Sequence, residues 1–579
     1  MYTIAKNVQI VLALLKEHNI KHIVISPGAT NIPIVRGVQN DPFFTCYSVV
    51  DERSAMYFAI GLYLELGVPV ATSCTSAQAT RNYLPGLTEA FYKHVPILAI
   101  TVSKHPRFIY QEYMQVPNQT SLPADTVKKT FALPCVNNRQ DELYCERLVN
   151  EAILELTHRT HGPVQLNIPI LDNELGKYIV PNLPKVRVIK RYMAWELWDI
   201  PLKDEKIMIV VGEHRPFSKK QAASLEAFTE SHNAFIYTNH LSNYHGKYTV
   251  GANLTLLCMW GDVFNSSYRP DILISIGGQT GDYPLFWKLV SPNTDFEHWR
   301  INENGDIVDT YDKLTKVFEC PFELFFTRLA KENTIKHTYF EQWRELQNSL
   351  SIPDNLPFSN AYLAQQLHGS LTQNCYLNLA ILNTLRVWSF FPIDSSITCY
   401  SNVAAFGIDG CMSVLLGQSV ATDRLCFLVI GDLAFFYDMN SLGIRHLKNN
   451  IRILLINNGC GAEFKIYSHT AYQFGKEGDA YIAAAGHNSD AKGWAGANHF
   501  KYLSAKDKEE FLKHKEEFLG ESEQSIVFEI FTTHEDESNA LKYIIENNQV
   551  MPVKSVMKNK IRSVIGDKGI NVLKDILKK

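Results

Sequence analysis

The residues best placed to do chemistry stand at the ends of two apolar runs. Leu425 to Gly461 reads LCFLVIGDLAFFYDMNSLGIRHLKNNIRILLINNGCG. The first run closes in Gly431-Asp432. The second, Ile451 to Ile456, closes in Asn457-Asn458-Gly459, and Tyr437 to Lys448 between them is expected to be helical. Strand, helix, strand forms a right-handed βαβ unit whose parallel strands share one carboxyl edge. Asp432 and Asn458 are therefore expected side by side although 26 residues separate them. A carboxylate and an amide oxygen are hard ligands suited to Mg²⁺, which keeps waters and bridges to phosphates. Gly431 lets a phosphate approach the backbone, and the helix N-terminus that follows favours an anion. The pattern fits a Mg²⁺–diphosphate site. It also fits an ordinary crossover in which Asp432 caps a helix and Asn457-Asn458-Gly459 makes a turn.

A second carboxylate bears on the choice. Glu52, in VVDERSAMYFAIGL, closes a strand (Thr45 to Val50) that reads as buried. A charge there is costly without a partner. The competing reading solvates Asp51, Glu52 and Arg53 and lets one of them cap the next helix.

Parallel sheets must position these groups. Residues 1–185 alternate helix and strand: helix Ile4–Glu17, strand His22–Ile25, turn Ser26-Pro27-Gly28, a helix from Ala55 to Leu66 expected to be buried, and strand Val68–Cys74 before Thr75-Ser76-Ala77-Gln78. Strand Ile97–Val102 and the segment Gly162 to Pro169 complete this unit. A linker-like stretch, Pro181–Lys206, precedes a second α/β unit, in which Gly277-Gly278 after an apolar strand suggests a ligand-facing turn. A polar helical connection runs to about Leu350. A third unit spans roughly 360–535. Repeated apolar strands between helices indicate parallel sheets covered on both faces, an α/β fold of three doubly wound domains. The boundaries expected are 1–185, 186–350 and 351–535, with a helical, basic tail over 536–579. A solvated helix face accounts for that tail most simply, and a docking segment is the alternative.

Bulk properties narrow the function classes. A chain of 579 residues, 46% hydrophobic and 20% charged, is long enough for three or four globular domains. A net charge of −4 gives no reason to expect nucleic acid or an anionic membrane as partner. The N-terminus lacks a signal-peptide pattern, and no segment is long and apolar enough to span a bilayer. The 11 cysteines contain no CxxC pair, which argues against zinc and disulfides and suits the cytoplasm.

Taken together, these features resemble the thiamine-diphosphate (ThDP) enzymes over residues 1–535. Gly431-Asp432 with Asn457-Asn458 matches the superfamily's diphosphate signature, with Leu433 in place of the commoner glycine. Within the superfamily the chain most resembles the menaquinone-pathway carboligases, the SEPHCHC synthases. The resembling segments are Ser26-Pro27-Gly28, Asp51 to Ala55, Cys74-Thr75-Ser76, Gly162-Pro163-Val164, Ser401-Asn402, Gly407 to Gly410, and GDLAFFYDMNSL at 431–442. The resemblance implies pyrimidine-binding, central and diphosphate-binding domains in that order. It implies that Asp432, the Asn458 side chain and the Cys460 carbonyl bind Mg²⁺. Gly431, Leu433, Ala434, Gly461 and Ala462 would line the diphosphate. Ser26, Pro27, Gly28, Ser76, Phe406 and Ile408 would contact the rest of the cofactor, with Ile408 as the wedge that bends it. Glu52 would hydrogen-bond N1′ of the aminopyrimidine from an apolar place with a raised pKa, and Gln115 would stand near the reacting centre. Glu52 and the diphosphate site would come from different subunits of a homodimer or homotetramer.

The resemblance weakens where substrate binds. The synthases hold two acidic substrates, 2-oxoglutarate and isochorismate, with basic side chains. Here Thr30, the pair Asp282-Tyr283, and Val403 stand at positions where the family has basic residues. Arg386 is the one candidate match, and Phe464 is a further substrate-side candidate. Losing the cations at these positions, each worth ~1.5–3 kcal/mol in a charged hydrogen bond, would cost orders of magnitude in affinity. The expectation is a ThDP- and Mg²⁺-dependent transferase that decarboxylates a 2-oxo acid and forms a C–C bond to an altered acceptor. A simple 2-oxo acid decarboxylase, a SEPHCHC synthase with a rearranged site, and a ThDP-fold scaffold are the alternatives.

Overall fold

The computed structural model describes residues 1–333, 335–482 and 486–552. Two compact units emerge, one from residues 1–198 with 302–320, the other from 199–301 with the chain from 321 onward. The fold is α/β, with helices running between the strands of parallel sheets.

In the first unit six strands are β1 His22–Ile25, β2 Thr45–Ser48, β3 Val70–Cys74, β4 Ile97–Lys104, β5 Thr130–Ala132 and β6 Val164–Ile170. Their spatial order is β2-β1-β3-β4-β6-β5, with parallel pairing such as Ile23↔Ala71. The central strands β3 and β6 are buried along their whole length, and the amides that β6 carries are paired inside the sheet, Gln165 Nε2 donating to Thr101 Oγ1 at 3.0 Å and Asn167 Nδ2 to Ser103 Oγ at 3.1 Å. Neighbouring residues point into different cores: Ala71, Leu98 and Ile100 pack on one face, Val70, Cys74, Ile97 and Ala99 on the other.

Three expectations change here. Strand β2 is a mostly exposed edge strand, because it pairs on one side only. The helix Glu52–Leu66 buries Ala55, Met56, Ala59 and Ile60, while Tyr57, Phe58, Leu64 and Leu66 face outward. It packs one face on the helix Leu84–Tyr92 and is uncovered on the other. Asp51 caps it, accepting from the backbone of Arg53 at 2.9 Å and Ser54 at 3.3 Å. The linker-like stretch contains a strand, β7 Lys190–Met193.

The second unit contains β8 Ile207–Val211, β9 Ala234–Tyr237, β10 Thr249–Val250, β11 Ile272–Ile276 and β12 Glu297–Asn302, ordered β10-β9-β8-β11-β12. Strand β13, Leu314–Glu319, returns to the first unit and pairs with β7. Gly277-Gly278 follows β11 directly, with Gly277 at φ +74°. A Cβ on Gly212 would stand 1.9 Å from the Gly278 carbonyl oxygen, so the chain passes backbone against backbone there.

The same unit carries β14 Tyr376–Leu379, β15 Thr398–Tyr400, β16 Cys426–Gly431, β17 Ile451–Asn457, β18 Lys501–Ala505 and β19 Ile526–Phe531. Their order is β15-β14-β16-β17-β19-β18. Phe427 and Val429 of β16 join one core; Cys426, Leu428 and Ile430 join the other, so this sheet is covered on both faces. The expected helix at Tyr437–Lys448 is displaced. The chain turns helical directly after β16, over Asp432–Asp438, tightens into a 3₁₀ turn at Met439–Gly443, and runs irregularly to β17. Asp438 accepts from Ser413 N and Oγ at 2.6 Å each, which ties the helix's end to its neighbour and stops it early. The helix His534–Asn547 begins the C-terminal tail, whose basic part from 553 lies outside the described residues. No helix among the described residues is long and apolar enough to cross a membrane.

Candidate active site

Sheet order places the chemistry. In the third sheet the strand sequence reverses between β14 and β16, and such switch points open a crevice at the carboxyl ends of the strands. A cavity of about 250 Å³ lies there. Ala380 to Thr384 after β14, Gly431 to Ala434 after β16, and Asn458 with Cys460 to Phe464 after β17 line it, together with Ile408 and Glu537.

Asp432 and Asn458 meet as their spacing predicts. Parallel register sets Gly431 opposite Ile456. Asp432, 3% exposed, accepts from Leu433 N at 2.7 Å, Asn458 N at 3.1 Å and Gly459 N at 2.9 Å. Burial raises its pKa, opposed by those backbone donors and by His487, whose Nε2 lies 3.2 Å away. A carboxylate held in an apolar edge by backbone donors is a high-energy anion, and a divalent cation would relieve it. The Asn458 side-chain oxygen accepts from Cys460 N at 3.3 Å, and the Cys460 carbonyl accepts from Ala462 N at 3.0 Å. Nothing within 4 Å crowds a Cβ position on Gly431, so the backbone there is open to a bulky group. The donor set and the space fit a metal-bound diphosphate.

Ile408 lines the cavity and packs against both cores of the sheet. Phe406 holds a left-handed backbone (φ +60°) and meets Tyr283 edge-on at 5.4 Å. The sequence did not flag Glu537 or Glu463. Glu537 is buried, accepts from Asn360 N (3.0 Å to Oε1) and from the Thr532 hydroxyl (2.9 Å), and burial pushes its pKa up to about 7. Glu463 pairs with Arg386 through two bonds, Nη1 to Oε2 at 3.1 Å and Nη2 to Oε1 at 2.8 Å. His487 was missed as well. No periodicity marks any of the three, because each is set by packing between distant segments.

Asp282 is buried. Its carboxyl accepts from the Tyr237 hydroxyl, from Asn253 Nδ2 at 2.7 Å and from Leu285 N at 3.2 Å. Burial pushes its pKa up to about 7. It shares a small cavity with Tyr283, Arg386, Leu385 and Phe390. Val403 is fully buried in the core and presents nothing polar.

In the first unit the sheet reverses between β1 and β3, and the turns after those strands meet. Gly28 is required by close approach, since a Cβ there would fall 2.2 Å from Thr75 Cβ. Thr30 is buried, its hydroxyl 2.7 Å from that of Thr75 and accepting from Ser76 N at 3.1 Å. Ser26 is buried and donates to Val49 O at 2.9 Å, whereas Pro27 is exposed. The Ser76 hydroxyl is buried with no hydrogen-bond partner among the described residues, and Ala77 beside it is strained at φ +69°. Buried orphans and strained residues cluster where a ligand completes a site. Glu52 is half-exposed at the first turn of its helix and accepts from Asn82 Nδ2 at 3.2 Å. Gln115 is exposed on a loop strained at Tyr110, Glu112 and Gln115, beside a cavity of about 750 Å³.

Residues 6–122 match the thiamine pyrophosphate enzyme N-terminal TPP-binding domain. Over 565 residues the chain is 34% identical to the 2-succinyl-5-enolpyruvyl-6-hydroxy-3-cyclohexene-1-carboxylate synthase (SEPHCHC synthase) of Bacteroides thetaiotaomicron, covering 94% of this chain and 98% of that one. The chain belongs to the SEPHCHC synthase family. The similarly named protein of Phocaeicola vulgatus is 35% identical over 560 residues, with 94% and 98% covered. That of Flavobacterium psychrophilum is 27% identical, with 90% and 95% covered. Membership of the SEPHCHC synthase family makes the chain a ThDP-dependent transferase of the carboligase type, acting on small molecules. ThDP supplies the carbanion chemistry; the protein supplies binding, orientation and electrostatics.

Proposed function

We propose that this chain, with ThDP and Mg²⁺, decarboxylates a 2-oxo acid and transfers the remaining acyl group to an acceptor, forming a C–C bond. The observation that carries this is Asp432, buried at the end of β16 and bonded to the backbone of Asn458 and Gly459 at the sheet's switch point. Asp432, Asn458 and the Cys460 carbonyl would hold Mg²⁺. Gly431, Leu433, Ala434, Gly461 and Ala462 would cradle the diphosphate, and Phe406 and Ile408 would support the cofactor's middle. Ser26, Pro27, Gly28 and Ser76 belong to the pyrimidine end, where Glu52 holds a proton at N1′. Gln115 serves the reacting centre. Thr30, Asp282, Tyr283, Arg386, Val403 and Phe464 shape the substrate side. Domains at 1–185, 186–350 and 351–535 carry these roles, in a homodimer or homotetramer that works in the cytoplasm. No disulfide joins the eleven cysteines, all of them among the described residues, which suits that reducing compartment.

The relatives' name favours a second reading, that the chain is itself a SEPHCHC synthase in menaquinone biosynthesis. Thr30, Asp282 and Val403, none of them cationic, weigh against it. Calorimetric titration with ThDP and Mg²⁺, followed by a 2-oxo acid screen with mass detection of products, decides. A larger adduct marks the carboligase, an aldehyde marks a simple decarboxylase, and turnover of 2-oxoglutarate with isochorismate supports the second reading. Failure of ThDP to bind in the presence of Mg²⁺ would sink every enzymatic reading. Glu52→Gln should remove turnover while cofactor binding persists; full turnover would disprove its role.

A further inference from the structure

The cavity at the switch point has an unusual charge pattern for a site in a family that handles acidic substrates. Three carboxylates reach its wall: Asp432, Glu463 and Glu537. No lysine, arginine or histidine stands among its described lining residues. Apart from those groups the wall is largely apolar, with Ile381, Leu382, Ile408 and Leu433. Arg386, which reaches the wall through Glu463, is already spent. Its guanidinium donates to both oxygens of Glu463 and to Asn383 Oδ1 at 3.3 Å, and the two paired side chains are only 16% and 17% exposed. A bidentate, part-buried guanidinium–carboxylate pair is the strong form of this interaction. A substrate carboxylate could claim Arg386 only by leaving Glu463 unpaired and partly buried, which is costly. Asp282, buried in the adjoining cavity with Arg386, adds a further acidic group on that side.

We infer that the donor is a 2-oxo acid with an uncharged remainder, and that Glu463, locked to Arg386, excludes donors with a second carboxylate. Here the chain's own carboxylate fills the place that a substrate's distal carboxylate would otherwise take. Rejection by an unpaired or like charge is how a site selects against a competitor while leaving the favoured ligand alone. The inference rests on the 2-oxo acid reading above and names the class of donor for that same site.

Acylphosphonates test it, since a phosphonate in place of the reacting carboxylate gives a donor analogue that cannot lose CO₂. Succinylphosphonate is acetylphosphonate extended by a carboxymethyl group, which supplies the distal carboxylate. Binding of each to the ThDP–Mg²⁺ holoenzyme is measured by titration calorimetry, beside CO₂ release from pyruvate and from 2-oxoglutarate. One charged hydrogen bond lost or one like charge met corresponds to roughly 10- to 100-fold. Acetylphosphonate should bind the wild-type enzyme at least tenfold more tightly, and pyruvate should be the faster source of CO₂. Glu463→Gln and Glu463→Ala should each narrow that ratio by about tenfold as Arg386 becomes available. Succinylphosphonate binding as well as or better than acetylphosphonate in the wild type would overturn the inference while leaving the decarboxylase reading intact. So would a ratio unchanged in both variants. A holoenzyme that binds neither analogue and releases CO₂ from no 2-oxo acid would instead overturn the decarboxylase reading, and the inference with it.

Discussion

Asp432 shows what one side chain costs and what it is for. Burial raises its pKa, and backbone N–H groups and His487 oppose that rise. Asp432→Asn should weaken ThDP binding in the presence of Mg²⁺ by at least ~100-fold, because a neutral amide removes the one formal charge among the proposed metal ligands. Loss of the thermal stabilisation that ThDP with Mg²⁺ confers on the wild type is the measurement. Asp282 makes a separate prediction about pH. Its folded pKa of about 7 lies above the 3.8 of the free group, so the native state binds more protons than the unfolded chain between those values. Stability from this group is full below pH 3.8, falls as pH rises to about 7, and is flat beyond. Asp282→Asn should therefore flatten that part of the profile, with a gain at pH 8 relative to pH 4 of up to roughly 4 kcal/mol. Denaturant melts at several pH values read it directly; an unchanged slope would show that Asp282 is not the group responsible. At this scale the sequence was partly legible. Gly-Asp and Asn-Asn at the ends of apolar runs announce their own position. The Arg386–Glu463 pair does not, because its members lie 77 residues apart: Arg386 alone suggests a substrate cation and Glu463 alone carries no signal.

Among elements, the sheets were the most legible part. A central parallel strand is buried on both faces and tends to read as an apolar run, so β16 and most of β17 stand out in the sequence, whereas β3 and β6 carry buried Thr, Ser, Gln and Asn. Helices between them were less so. After β16 the apolar residues continue without periodicity, and the helix boundary is set by Asp438 bonding to Ser413 on a neighbouring helix. Strand β17 also hides a charged residue inside its apolar run. Arg452, 1% exposed, donates to the carbonyls of Phe518 (3.1 Å), Gly520 (2.8 Å), Asn449 (3.0 Å) and Ile451 (3.0 Å). It thereby ties off the C-terminal end of the helix Lys508–Leu519, whose last carbonyls have no partners within the helix. Arg452→Met keeps the apolar stem but strands those acceptors. It should destabilise the second unit by about 3 kcal/mol or more, a value typical of a broken buried network. Urea unfolding followed by far-ultraviolet dichroism checks this. A cost below about 1 kcal/mol would mean that water satisfies the carbonyls.

At the scale of the whole molecule, the outward face of the helix Glu52–Leu66 is the open question that a single chain poses. Val50, Tyr57, Phe58, Leu64, Leu66, Val68 and Tyr92 are all exposed around it, and apolar surface concentrated in this way marks an interface. Small and apolar residues on most faces of that helix suggest burial, and a second copy of the chain would supply the missing cover. In an isologous dimer the same patch serves both partners, so two equivalent active sites form or neither does. Glu52 opens this helix, and the proposed assembly has it complete the diphosphate half carried by the other copy. Mixed dimers distinguish that arrangement from a site built within one chain. Glu52→Gln and Asp432→Asn homodimers should each be inactive. After the two are unfolded together and refolded at equal ratio, half of the dimers are mixed, and in each of these one of the two sites draws both Glu52 and Asp432 from unaltered positions. Activity should return to about a quarter of the wild-type value. If each chain instead formed its own site, every site in the mixture would carry one lesion and no activity would return. Tyr57→Asp with Leu64→Asp gives the matching control: sedimentation should show monomers, and turnover should be lost although both catalytic side chains remain.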